Sequence, residues 1–116
     1  MASLVQQKSF DFALTIIKLY TKLQQQQEYV LSRQLLRSGT SVGANIVEAT
    51  AGQSRRDFSA KMSIASKEAR ETRYWLQLLR ESQLVTIDVS EELSDVEELI
   101  RILTSIVKTT SQNPKS

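Results

Sequence analysis

The chain has 116 residues, 41% of them apolar and 24% charged, with a net charge of +2, the size and balance of one ordinary globular domain. It has no cysteine and no histidine, which excludes disulfides, thiolate nucleophiles, the usual zinc sites and the side chain that most readily moves protons near neutral pH. The opening MASLVQQKSF lacks an apolar core of signal-peptide length, and no stretch approaches the roughly 18 consecutive apolar residues of a membrane span, so a cytoplasmic protein without membrane, metal or cofactor is expected.

The one proline, Pro114, lies in the polar tail 111–116, and no strand-like alternation bounded by turn residues appears. The chain therefore reads as all-α, a single domain over 1–116 with helices at about 8–25, 29–51, 55–83 and 90–110. In the first, Phe10, Ala13, Leu14, Ile17 and Tyr20 recur at helical spacing with Phe12, Ile16 and Leu23 alongside, which predicts a broad buried face.

The second helix contains RSGTSVGANIVEATAG, residues 37–52, with all three glycines of the chain. Gln34, Arg37, Ser38, Ser41, Asn45 and Glu48 fall within a sector of roughly 100°, beside an apolar sector of Leu31, Leu35, Val42, Ile46 and Ala49. Two interior glycines cost a helix about 0.8–1 kcal/mol each relative to alanine. Gly39 and Gly43 are four apart, so they share a side and predict a close backbone contact that offsets this cost, with Ser and Asn bonding across it. The alternative is a locally weak helix or a loop. A phosphate-binding loop is excluded, because GTSVGAN lacks the following Lys-Ser/Thr and no strand precedes it.

In the third helix Phe58, Met62, Ala65, Ala69, Thr72, Leu76 and Leu79 follow a four-three alternation, the seam of a bundle helix. Ser54 and Asp57 supply its start signal. Opposite the seam run Arg56, Lys67 and Arg70, with Ser63 and Tyr74 between them and Arg55, Arg73 and Arg80 flanking. Asp88 and Glu91 give a similar start to the fourth helix, whose seam is Leu93, Val96, Ile100, Leu103 and Val107. Its acidic first turns meet the positive end of the helix dipole. Residues 1–87 carry 12 basic and 7 acidic side chains, and residues 88–116 carry 3 and 6, an asymmetry that permits an anionic partner. Short connections between such helices predict an up-down-up-down antiparallel four-helix bundle. Ile64, Trp75, Leu78, Leu99, Ile102 and Ile106 lie beside the seams; together they favour an oligomer, and a wide core is the alternative.

The segment SRQLLRSGTSVGANIVEA followed by DFSAKMSIASKEARETRYWLQLLRES resembles the family of small four-helix-bundle proteins encoded in intervening sequences of bacterial 23S ribosomal RNA genes. The family pattern Q-L-x-R-S-x-x-S-x-x-x-N-I-x-E is met by Gln34, Leu35, Arg37, Ser38, Ser41, Asn45, Ile46 and Glu48, and a second block by Phe58, Ala65, Glu68, Glu71 and Tyr74-Trp75-Leu76. Many members carry E-G where this chain has Glu48-Ala49, and G-S where it has Lys67-Glu68. The resemblance implies a homopentameric ring with no established enzymatic activity. It implies a looser kinship with accessory proteins of diversity-generating retroelements, whose similar pentamers engage reverse transcriptase and nucleic acid.

Three functions follow as expectations. The first is a non-enzymatic cyclic homo-oligomer that binds RNA, DNA or a nucleic-acid-handling protein through Arg55, Arg56, Lys67, Arg70, Arg73 and Arg80. A solvated face whose charges pair with Glu68 or Glu71 is the bland alternative to such a surface. The second is a small cofactor-free enzyme using Arg37, Glu48, Glu71 and Gln34 for electrostatic stabilisation in a buried pocket. The third is a purely protein-binding adaptor. Gln34, Arg37, Ser38, Ser41, Asn45, Glu48 and Glu71 are expected in a polar network between helices or subunits. Arg37→Ala would then strand a buried partner, at a cost on the order of 3 kcal/mol. Trp75 is expected at or near the subunit contact, with core packing as the alternative.

Overall fold

Ser3 and Gln6 start the first helix four residues earlier than its apolar periodicity predicts. The Ser3 hydroxyl accepts from the Gln6 N–H at 3.2 Å and the Gln6 Oε1 accepts from the Ser3 N–H at 2.9 Å, which satisfies two otherwise orphaned donors. The structure, a computed structural model, describes residues 3–111; the tail beyond Ser111 lies outside the described residues. Four helices and no strand occur among them: α1 Leu4–Gln25, α2 Val30–Thr50, α3 Arg55–Ser82 and α4 Ser90–Ser111.

The connections carry their own chemistry. Glu28 accepts from the N–H groups of Val30, Leu31 and Ser32 at 3.3, 3.2 and 2.7 Å, placing negative charge at the positive end of α2. Ser54 accepts from the Asp57 N–H at 3.0 Å and caps α3. The helix ends where Gln83 turns left-handed at φ 55°. Asp88 accepts from the Ser90 N–H at 3.0 Å, and its hydrogen bonds to Ser90, backbone first, hold its carboxyl below the usual carboxylate range.

Cross-helix hydrogen bonds fix the register. Gln6 meets Thr50 and Gln24 meets Ser32; Ser38 meets Thr72 and Glu48 meets Lys61; Arg70 meets Thr104 and Ser59 meets Thr110. Lys8 meets Glu98, and Gln26 meets Thr86 in the connection before α4. In every pairing one number rises as the other falls, so all neighbours are antiparallel. Each helix packs on its two neighbours. The result is an up-down-up-down four-helix bundle of 50 × 23 × 21 Å.

The seams of α3 and α4 are buried as their spacing predicts, with Phe58 and Val107 only partly so. The expected face of α1 is corrected. Its core residues are Val5, Phe12, Ile16, Leu19 and Leu23, with Ser9, while Phe10, at 60% exposure, Leu14 and Ile17 face outward. The apolar arc of α1 holds two helix-spaced stripes, and a helix held between α2 and α4 can bury one of them. Phe10 of the outward stripe and Val47 of α2, at 59% exposure, border a groove of about 240 Å³ lined also by Ala13, Thr40, Gly43 and Ala44. The apolar excess therefore lies mainly on α1 and α2. Of the six residues beside the α3 and α4 seams, Leu99 is core, Trp75, Leu78, Ile102 and Ile106 are partly buried, and Ile64 is exposed.

The glycines serve close packing within the chain. A Cβ on Gly39 would lie 2.9 Å from both Cγ1 and Cγ2 of Ile16, and one on Gly43 would lie 3.3 Å from the Ser9 hydroxyl. Both glycines let α1 approach α2.

The α1–α4 seam concentrates acid. Burial pushes the Glu92 carboxyl above its ordinary range, with Glu91 and Asp95 adding to it and its own backbone N–H and Lys22 opposing. One Glu92 oxygen is buried without a hydrogen-bond partner. Burial, Glu91 and Glu98 likewise raise Asp95, against Lys8. A carboxyl whose folded pKa is raised destabilises the fold while charged, so stability is gained as pH falls through the folded value toward about 4. Glu92→Gln should accordingly raise the melting temperature at pH 7 by about 1–3 °C, a modest shift because the group is half solvated. It should also flatten the rise in stability as pH falls through the raised Glu92 value toward about 4. Melts that leave the variant no more stable at pH 7 would contradict this assignment.

Candidate functional site

Facing sides of α2 and α3 carry a polar ladder. Thr72 and Ser38 join through their hydroxyls at 2.8 Å in the buried layer, and the Ser38 hydroxyl donates to the Gln34 carbonyl at 2.9 Å. Above them Arg37 reaches across: Nη1 donates to Glu68 at 3.3 Å, and Nη2 donates to Gln34 at 3.4 Å and to Glu71. The same Glu71 oxygen accepts from the Trp75 indole N–H at 2.9 Å. The Tyr74 ring stands edge to face with Trp75, centroids 5.2 Å apart at an interplanar angle of 65°. A chain of contacts thus runs from Arg37 through Glu71 and Trp75 to Tyr74.

The fold brings Gln34, Arg37, Ser38, Glu71 and Trp75 together and adds Glu68 and Thr72. Three other residues of the expected network stand apart. Ser41 and Asn45 donate to carbonyls of their own helix, Arg37 at 2.6 Å and Ser41 at 2.8 Å. Glu48 pairs with Lys61 at 2.8 Å, further along the α2–α3 interface. The expected cost of losing Arg37 is corrected as well, because its side chain is 50% exposed and both carboxylates keep contact with water. A charge pair in that setting is worth about 1 kcal/mol at most, even as part of a network. Arg37→Ala should lower the melting temperature by only a few degrees and shift the fluorescence of Trp75, whose acceptor loses its anchor. A loss approaching 3 kcal/mol would contradict this half-solvated geometry.

On the outward side of α3, Arg80 bonds Glu81 at 2.7 Å and Arg70 donates to Thr104 of α4 at 3.1 Å. Arg55, Arg56, Lys67, Arg70 and Arg73 have no carboxylate within 4.0 Å among the described residues. Glu68 and Glu71, the neighbours that could have neutralised them, are taken by Arg37. The Arg70–Thr104 bond also identifies two bases that periodicity did not single out. Arg101 and Lys108 stand three before and four after Thr104, on the same side of α4. Their contribution depends on the α3–α4 register, which no spacing within one helix reveals.

Arg37, Gln34 and Glu71 converge on a half-exposed surface, away from Glu48. The grooves along α1–α4, along α1–α2 and at the bundle ends are lined by other residues. Among the described residues no group of three or more side chains could hold a metal ion, and no helix is long and apolar enough to cross a membrane.

A family model described as 23S rRNA-intervening sequence protein matches residues 2–105. A crystal structure of a protein with unknown function from the S23 ribosomal protein family of Bacteroides thetaiotaomicron VPI-5482 is similar, with 48% identity and a TM-score of 0.86. The match covers 90% of this chain and 99% of that one. No curated protein matches.

Proposed function

The chain belongs to the 23S rRNA-intervening sequence protein family, and on that footing we propose that it is a non-enzymatic, cytoplasmic scaffold whose copies associate into a closed ring and present the basic side of α3 to nucleic acid. The observation that carries the nucleic-acid reading is positive charge without counter-charge: five basic side chains on one helix side have no carboxylate partner among the described residues, while the nearby acids are engaged by α2. Desolvating and pairing such groups with phosphates releases condensed counterions. A ring repeats the patch in every subunit, and repetition turns a weak patch into a useful one. Association is supported by the outward apolar stripe of α1 with Val47, which a neighbouring copy would cover. Five subunits is the number the family resemblance implies.

The test is fluorescence anisotropy of a labelled polynucleotide against a salt series. Binding should weaken linearly in log–log form as salt rises, by about 0.7–0.9 of a unit per phosphate contact. The double variant Lys67→Glu/Arg70→Glu should bind much more weakly and with a shallower slope. Absence of binding at low salt would remove the nucleic-acid reading and leave a protein-binding adaptor. The enzyme alternative gains no support from a network that lies on the surface.

A further inference from the structure

We infer that the polynucleotide held by the α3 face is single-stranded, and that Tyr74 is the platform on which one of its bases stacks. This rests on the reading of that face as a nucleic-acid surface. Two geometric facts separate a single strand from a duplex. The first concerns access. α3 lies between α2 and α4 in a bundle 23 × 21 Å across, whereas the major groove of a duplex is about 12 Å wide. The flanking helices keep α3 out of the groove, so a duplex could touch this side only through its phosphate rim.

The second fact is an exposed aromatic ring within the basic track. Tyr74 is 54% exposed, and it stands one turn from Arg70 and two from Lys67 on the same side of α3. Stretches that hold single strands combine a positive track along the backbone with aromatic faces for unstacked bases. From Arg56 to Arg73 the track rises about 25 Å at 1.5 Å per residue, room for several nucleotides.

The polar ladder gives this ring a fixed seat. Trp75 is held through its indole N–H by Glu71, and Glu71 by Arg37. Tyr74 leans on that tryptophan at 5.2 Å. Its rotation is limited before any ligand arrives, which reduces the ordering cost of binding. Arg37 and Glu71 are thereby positioning residues for the platform.

The experiment compares an unstructured 20-nucleotide single strand with the matching duplex in the same anisotropy titration, using wild type, Tyr74→Ala, Tyr74→Phe and Lys67→Glu/Arg70→Glu. The expected result is tighter binding of the single strand, a loss of about tenfold in that binding for Tyr74→Ala, near-wild-type binding for Tyr74→Phe, and duplex binding unchanged by either tyrosine variant. Quenching of Trp75 fluorescence by the single strand should vanish in Tyr74→Ala. Equal or tighter binding of the duplex, or single-strand binding indifferent to Tyr74→Ala, would overturn the inference while leaving the basic-face reading intact, provided the charge reversal still abolishes binding. No binding of either form would overturn both.

Discussion

Gly39→Ala should destabilise the chain by about 1–2 kcal/mol, although alanine is the better helix former by about 0.8–1 kcal/mol. The added Cβ falls 2.9 Å from Cγ1 and Cγ2 of Ile16. Ile16 is fully buried, and its branching at Cβ leaves it one favoured rotamer in a helix, so those two atoms cannot swing away. Overpacking costs about 1–3 kcal/mol, and with both γ carbons pinned the upper part of that range applies, which exceeds the propensity gain. The melting temperature should fall by about 5–10 °C. In an Ile16→Ala background both γ carbons are gone and only the residue-16 Cβ, 3.2 Å away, remains, so the same glycine replacement should be near neutral or stabilise by up to about 1 kcal/mol. Thermal melts of the four proteins form the cycle. A single Gly39→Ala protein as stable as wild type would contradict the close α1–α2 approach. Gly43→Ala should be nearly neutral, since its Cβ meets the rotatable Ser9 hydroxyl at 3.3 Å.

Leu14→Glu should leave the fold intact and disperse the assembly. Leu14 sits between Phe10 and Ile17 on the outward stripe of α1, clear of the core, so the bundle loses no internal packing. In an assembly that covers the stripe, the new carboxylate would be buried without a partner at every contact, at a cost of several kcal/mol each. The mass by light scattering should drop to that of one chain, 13.1 kDa, with the helical circular dichroism unchanged. A variant that keeps the wild-type assembly would show that the outward stripe of α1 is not where copies meet.

The strict four-three alternations of α3 and α4 could be read directly because each has one dominant apolar stripe, and the core took it, together with Leu99 beside the α4 seam. In α1 two stripes compete, Phe10-Ala13-Leu14-Ile17 and Phe12-Ile16-Leu19-Leu23, and periodicity cannot say which turns inward. The choice falls to the neighbours, since Gly39 opens a space on α2 that Ile16 fills. The ladder from Gln34 to Glu71 was visible as a run of short polar residues on α2 and acids on α3. How much water it keeps was not visible, because exposure follows from the interhelical register. The same register decides that Arg37, and not a neighbour on α3, takes Glu68 and Glu71. It therefore leaves Arg55, Arg56, Arg70 and Arg73 of α3 without a carboxylate partner among the described residues. Caps at Ser3 and Glu28 were present in the sequence as a Ser-x-x-Gln box and an acid just before α2, signals that apolar periodicity alone passes over.

The most direct measurement is light scattering behind a sizing column, with and without an excess of the 20-nucleotide single strand at low and moderate salt. A defined multiple of 13.1 kDa that co-elutes with the strand at low salt and releases it at moderate salt is the expected result. A single-chain mass with no retained polynucleotide at either salt would contradict a ring-forming nucleic-acid scaffold.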